Sequence, residues 1–296
     1  MNKLTSDRRD PPVLSIVTGS RNRPDSLRIM INSVLEQTQS PFELLIGDAS
    51  EKPLNFNDPR VSIFHEYPPV GPVKGFNNLM RKAQGDFVCF LNDDLEVLPG
   101  WSEKVTGIFN EHPEIDMACI PLMEPEDPNP FVLLYKQIPY AQMGVVRRIA
   151  GDSLGWFDDR FKNYAPDADF TMRLIDSGRK YAPIRGKIVW HYKLEDENRL
   201  TMEQNAKSDN GELGRIWKPR RYEILKKFEK NSLQYFSNLN IRYSKTYGCD
   251  MLDILPANQI NSSTSTRPFS ITFPRFYKAK EAFYRLESFM RSIGKG

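Results

Sequence analysis

The first apolar run of the chain, 13–18 (VLSIVT), ends in the polar segment 19–24 (GSRNRP) and is followed by Leu27, Met30, Ile31, Val34 and Leu35. An unbroken apolar run of this length reads as a buried strand. The 0, 3, 4, 7, 8 spacing after it puts the next apolar side chains on one face of a helix, and Pro24 suits that helix's first turn. The same alternation predicts strands over 42–46, 61–65, 86–91 and 117–120. Between them it predicts a helix that turns Phe76, Leu79, Met80 and Ala83 inward and another over 101–110. Strands alternating with amphipathic helices imply an α/β unit over 12–122, a mostly parallel sheet flanked by helices, although the pattern does not reveal strand order. The middle of the chain differs. Residues 122–140 are rich in proline and turn formers, 143–148 reads as a β segment, 168–177 as a short helix stopped by Gly178, and 187–192 as an apolar strand. Residues 193–210 are strongly polar, which predicts a mobile loop. Helical character returns over 220–236, 261–266 (NSSTST) reads as a linker, and 273–293 as another amphipathic segment. Residues 211–296 are therefore expected to form a mainly helical C-terminal extension.

Composition narrows the class. A chain of 296 residues with 40% hydrophobic and 27% charged residues can bury a substantial core and is not compositionally disordered. Its 41 Lys and Arg against 38 Asp and Glu leave a net charge of +3, too small to argue for nucleic acid as a partner. Cys89, Cys119 and Cys249 are widely spaced and read as reduced residues, not a disulfide framework. The opening MNKLTSDRRDPP lacks the apolar stretch of a signal peptide, and no run approaches the ~20 apolar residues that cross a bilayer. The expectation is a soluble cytoplasmic protein.

The chemistry concentrates in the segment 90–101 (FLNDDLEVLPGW). Its carboxylates follow a predicted strand, at the end where open α/β sheets place ligands, and hard divalent cations prefer such oxygens. A second acidic pair, Asp167 and Asp169, begins the helix that carries Phe170, Met172 and Leu174. The helix dipole keeps carboxylates ionised there, so capping is a structural alternative for Asp169. Asp167, behind Pro166, is better placed as a free carboxylate that accepts a proton from a hydroxyl. His191 closes an apolar strand, where a hydrogen-bonded structural role competes with a ligand role.

In order and spacing these segments resemble glycosyltransferase family 2, over about residues 13–192. LSIVTGSRNRPDSLRIMINSVLEQT resembles the family's first strand, nucleotide-contacting turn and helix, and FELLIGDAS the strand ending in a nucleobase-contacting aspartate, here Asp48. GFNNLMRKAQGDFVCFLNDDLEVLPGW resembles the metal-binding turn, with Asn92 and Asp94 in the outer positions of Asp-x-Asp. GWFDDRFKNYAPDADFTMRLIDSGRKY resembles the acceptor loop and the helix carrying the catalytic base. Three departures stand out: Asn92 replaces an aspartate, Gly47 stands where a further aspartate is common, and Pro166 takes the glutamate position of the Glu-Asp pair.

The resemblance implies a GT-A fold, the Rossmann-like nucleotide-diphospho-sugar transferase architecture. The catalytic domain would span 1–210, with its nucleotide half over 12–122, its acceptor half over 123–192 and the mobile loop at 193–210. It also implies a divalent cation, Mn²⁺ or Mg²⁺, held by Asp94 and His191, with Asp93 or Asn92 acting through water. Asp167 would be the base of an inverting transfer from a nucleoside-diphosphate sugar to a carbohydrate or lipid-linked carbohydrate. Thr18, Ser20, Asn22 and Arg23 would meet the nucleotide, or else form a solvated turn; Lys74 and Asn78 would approach ribose or diphosphate, although Lys74 equally suits the surface. Gly155, Trp156 and Phe157, with Asp169, would form the acceptor site, core packing being the alternative for the aromatics. Of Arg147 and Arg148, alternation lets one meet an anion. The amphipathic segment 273–293 suits a core helix or a contact with a second copy better than a peripheral contact with a membrane. A sugar nucleotidyltransferase is the competing enzyme class, and a nonenzymatic sugar or nucleotide binder the weaker alternative. Both Asp94 and Asp167 being present speaks against the latter.

Overall fold

The computed structural model describes residues 12–136 and 138–236 and the backbone of 242–245. The first half runs β1 (Leu14–Ser20), α1 (Pro24–Gln37), β2 (Phe42–Asp48), β3 (Val61–His65), α2 (Pro72–Met80), β4 (Phe87–Phe90), β5 (Leu95–Val97), α3 (Trp101–Glu111) and β6 (Met117–Cys119). Then come β7 (Leu122–Glu124), β8 (Asp127–Tyr135), β9 (Ile138–Tyr140), β10 (Gly144–Arg147), α4 (Arg148–Leu154), α5 (Pro166–Asp176), β11 (Tyr181–Pro183) and β12 (Val189–His191). α6 (Glu197–Trp217), α7 (Arg221–Asn231), α8 (Leu233–Phe236) and β13 (Arg242–Lys245) close the described chain.

The main sheet has seven strands in the order β11-β6-β10-β4-β1-β2-β3. β4, β1, β2 and β3 run parallel, and β10 is inserted antiparallel between β4 and β6. Strand alternation sorts the buried residues onto two faces. Ile16, Leu44 and Cys89 join Leu27, Met30 and Ile31 of α1 in one core cluster, while Val17, Leu45 and Val88 join Leu79 and Met80 of α2 in the other. Helices therefore cover both faces, as the periodicity predicts, and Cys89 and Cys119 are buried free thiols. Because the four neighbouring strands are parallel, their C-terminal ends share one edge, where Ser20, Asp48, Glu66 and the 91–94 turn emerge.

A smaller sheet, ordered β13-β8-β7-β12-β5 with β9 paired to β8, is built largely from the proline-rich 122–140 stretch. Its β12 pairs antiparallel with β5 in a register that sets His191 opposite Leu95. The residue after the 91–94 turn is thus fixed beside that histidine.

One sequence expectation is overturned. Residues 193–210 are not a mobile loop: α6 begins at Glu197, capped by Asp196, whose Oδ1 accepts the Arg199 N–H at 3.0 Å. The boundary drawn at residue 210 falls inside this helix, whose inward side carries Met202, Ala206, Asp209, Leu213 and Trp217 at helical spacing. Trp217 donates to Asp169 of α5 at 2.8 Å, while Arg220 and Lys227 pair with Asp176. The Phe228 ring of α7 packs at a tilt against Tyr181 of β11, 5.7 Å between centroids, so these helices are packed on the sheet's α5 side. The amphipathic segment 273–293, the 261–266 linker and Cys249 lie outside the described residues. Among the described residues no helix is long and apolar enough to cross a membrane.

The inward side of α6 escapes apolar pattern recognition because Asp209 sits in it, 1% exposed. Its carboxylate accepts the backbone N–H groups of Lys162, Asn163 and Tyr164, the last two at 2.8 Å on Oδ2. Asp209→Ala strips these three donors of their acceptor, and the expected loss of stability is about 1–3 kcal/mol. Urea unfolding measures it; an unchanged midpoint would show that the clamp contributes nothing.

Candidate functional site

A cavity of about 550 Å³ opens at the shared strand edge. Ser20, Arg23, Asn92, Asp93, Asp94 and His191 line it from the sheet side, and Phe157 and Asp167 from the α5 side. The two carboxylates singled out in the sequence, Asp94 and Asp167, thus share one cavity.

Asp93 and Asp94 are adjacent yet differently employed. Asp93 accepts Ser20 Oγ at 2.7 Å on Oδ2 and Arg23 Nη1 at 2.9 Å on Oδ1. Burial pushes its carboxyl up, with Arg23 opposing and the neighbouring Asp94 charge adding to the rise. Asp94 is 8% exposed, and its Oδ1 makes no hydrogen bond within the described structure; it faces His191 Nε2 at 3.3 Å. Burial would raise the Asp94 carboxyl too, but His191, the Arg23 charge and the Leu194 N–H hold it below its ordinary value. An ionised carboxylate oxygen facing an imidazole nitrogen is a ligand pair that suits a hard or borderline cation. Among the described residues no three His, Cys, Asp or Glu side chains form a metal cluster. A cation here would draw its remaining ligands from water and diphosphate, as Mg²⁺ commonly does. His191 Nδ1 points toward Glu124 Oε1 at 3.7 Å, and Lys193 Nζ stands 3.6 Å from the same oxygen.

Arg23 joins this turn to α6. Its Nε and Nη2 donate to Asp196 at 2.7 and 2.9 Å while Nη1 holds Asp93. Asn198 Nδ2 adds a bond to the Arg21 carbonyl at 2.6 Å. Asn198, Arg199 and Met202 of α6 line the cavity, as do Glu66 and Glu124, and none of these was singled out in the sequence. An N-cap signature at Asp196 was the available signal for α6; Glu66 and Glu124 carry none.

Asp167 occupies the first turn of α5, after Ala165 in the left-handed region (φ 67°) and Pro166. Its Oδ1 accepts the Ala168 N–H at 2.8 Å. Close surrounding protein pushes its carboxyl up to about 7 against that N–H, while part of its surface opens to the cavity. A carboxyl in this range is matched to proton abstraction near neutral pH.

Other expected site residues lie elsewhere. Asp169 is fully buried, held by Arg173 Nε at 2.7 Å and Trp217 Nε1 at 2.8 Å, and does not line the cavity. Two helical positions from Asp167, it points to the opposite side. Trp156 is a core residue: it stacks on Phe170 at 6.1 Å, and a Cβ at Gly151 would fall 2.1 Å from its ring. Gly155 serves as the left-handed cap of α4 (φ 79°), so of the three acceptor residues only Phe157 reaches the cavity. Asp48 turns its carboxylate back onto its own loop, accepting Ser50 N–H at 3.0 Å and Leu54 N–H at 2.7 Å. Thr18 is buried without lining the cavity; Asn22, Lys74 and Asn78 are exposed beside it. Arg147 spends its guanidinium on the Ile115, Phe109 and Pro113 carbonyls, and Arg148 donates to Gly85 O, so neither meets an anion at the site.

Residues 15–148 match Glycosyl transferase family 2. The chain is 29% identical over 226 residues to the O-antigen biosynthesis protein RfbC of Myxococcus xanthus, covering 62% of this chain and 18% of that protein. It is 29% identical over 114 residues to an uncharacterized glycosyltransferase of Haemophilus influenzae, 37% of this chain and 38% of that one. It is 32% identical over 91 residues to the UDP-Glc:alpha-D-GlcNAc-diphosphoundecaprenol beta-1,3-glucosyltransferase WfgD of Escherichia coli, 29% of this chain and 36% of that one. The chain thus spans well under half the length of these relatives. In fold it is similar to S. aureus TarS 1-349, with a TM-score of 0.51 and 17% identity over 73% of this chain and 70% of that one. The same protein in complex with UDP-GlcNAc gives a TM-score of 0.53 and 17% identity over 75% and 74%. The matched segment carries Ser20, Asp93 and Asp94, so the strand edge that lines the cavity lies in the part of the chain that is similar to glycosyltransferase family 2, and the fold around it is similar to that of TarS.

Proposed function

We propose that this chain is a metal-dependent inverting glycosyltransferase that moves a sugar from a nucleoside-diphosphate sugar to a hydroxyl of a glycan or lipid-linked glycan. The observation that carries the reading is that Asp94 and Asp167 line one cavity. Asp94 and His191 are the residues that would hold Mg²⁺ or Mn²⁺. The cation, when bound, supplies neutralisation of the negative charge on the leaving diphosphate. Arg23, half-buried and bonded to Asp93 and Asp196, offsets part of the carboxylate charge on the same side and holds the turn in place. Asp167 takes the proton from the acceptor hydroxyl as its oxygen forms the new bond to the anomeric carbon and the bond to the diphosphate oxygen breaks. A single displacement inverts the anomeric centre, by the carboxylate-base logic of inverting sugar hydrolases. The names of RfbC and WfgD connect those relatives with O-antigen biosynthesis and with a diphosphoundecaprenol-linked acceptor, which supports a lipid-linked saccharide as the acceptor class.

Asp167→Asn is expected to lower kcat by roughly 10²–10⁴-fold while donor binding stays intact. The measurement is nucleoside diphosphate released from a donor panel; release of pyrophosphate instead would identify a nucleotidyltransferase. Because the base must be ionised and burial holds Asp167 near 7, kcat is expected to fall about tenfold per pH unit below about 7. A rate flat down to pH 5 excludes Asp167 as the base. EDTA is expected to abolish turnover, with recovery on adding Mn²⁺ or Mg²⁺, and Asp94→Ala should resist that rescue. Full activity in EDTA would remove the cation from the reaction.

A further inference from the structure

Glu66 follows β3 directly, and its N–H donates to the Asp48 carbonyl at 2.9 Å, which fixes its backbone at the cavity end of β2. Its half-buried side chain lines the cavity between two glycines. A Cβ at Gly75 would stand 2.8 Å from Glu66 Oε2, and one at Gly47 would stand 3.1 Å from the same oxygen. The absence of side chains at these two positions is what admits the carboxylate. The Asn78 side chain hydrogen-bonds it, and among the described residues no cation pairs with it. A carboxylate has about four acceptor sites, so Glu66 retains capacity for further donors.

Its place along the sheet indicates which donors. In the order β4-β1-β2-β3 the diphosphate end belongs to Asp94, after β4, and Glu66 lies three strands away. At ~4.8 Å per strand this is roughly 14 Å, the far end of a nucleotide laid across the edge with its diphosphate at Asp94. Asp48, the residue expected to meet the base, is occupied by its own loop.

On the reading of the cavity as a nucleotide-sugar site, we propose that Glu66 reads the donor base, its carboxylate accepting the ring N–H of uracil, thymine or guanine. Cytosine and adenine present a lone pair at that ring nitrogen and are rejected by the carboxylate's own lone pairs. A site built to accept a hydrogen bond discriminates strongly against a partner that cannot donate one.

The test is titration calorimetry of the full chain with UDP, GDP, CDP, ADP and pyrophosphate in Mg²⁺. At least one of UDP and GDP is expected to bind tenfold or more tightly than CDP and ADP. Glu66→Gln, whose amide can turn a donor to the ring nitrogen, should shrink that ratio at least tenfold and leave pyrophosphate binding unchanged. Should this variant fail to fold by circular dichroism, Glu66→Asp withdraws the acceptor, and should weaken UDP or GDP at least fivefold. Equal weakening of all four nucleotides by Glu66→Gln would assign Glu66 to the ribose and overturn the proposal. So would wild-type preference for CDP or ADP, or undiminished UDP and GDP binding by Glu66→Asp. If the wild-type chain binds neither pyrophosphate nor any nucleotide, the nucleotide-sugar reading itself falls.

Discussion

The ion pairs of the half-buried Arg23 guanidinium are the interactions on which the site depends. A carboxylate removed from water is unfavourable unless paired and hydrogen-bonded; Arg23 does this for the buried Asp93 and at the same time grips the more exposed Asp196. One of these belongs to the turn after β4 and the other caps α6, so a single planar fork holds that turn and the helical wall in register. With Asp93 committed to Arg23 and Ser20, the neighbouring Asp94 is left with an oxygen that makes no hydrogen bond among the described residues and faces His191 Nε2 at 3.3 Å. Two adjacent residues of one type are thereby separated into a structural anchor, Asp93, and a carboxylate with an oxygen left unsatisfied among the described residues, Asp94.

A similar separation operates in the first turn of α5. Asp167 and Asp169 are two positions apart, so the helix points them to different sides. Asp169 meets Arg173 and the Trp217 indole and is locked in the core; Arg173 in turn donates to the Leu154 and Trp156 carbonyls. Asp167 meets one backbone N–H and the cavity, and burial raises it to about 7. The fixed ion pair orients the helix, and the incompletely satisfied carboxylate is free to exchange a proton.

α6 completes the enclosure with an inward face that is partly polar. Asp209 clamps the 162–164 backbone just before Asp167, and Asn205 reaches Asn163 Oδ1 at 2.5 Å. The helix that walls the cavity therefore also shapes the loop leading to the carboxyl group, through Asp209 and Asn205.

Much of this was legible in the sequence, since period-2 and period-3.6 apolar patterns report burial directly. Apart from β5, which the pattern did not predict, the strands and helices up to β6, α5 and β12 sit within a few residues of where the pattern put them, and Asp94, Asp167 and His191 were placed at element ends that do converge. Tertiary structure alone decided strand order, and with it the distance between Asp94 and Glu66. It also decided where each polar side chain points, because that depends on the nearest donor, which lies far away in the chain. Asp48 finds the N–H groups of its own loop, Asp169 finds Arg173 and Trp217, and Trp156 fills the space Gly151 leaves. α6 was misread for the same reason: a buried aspartate with backbone partners 45 to 47 residues away is indistinguishable, in sequence, from one in water.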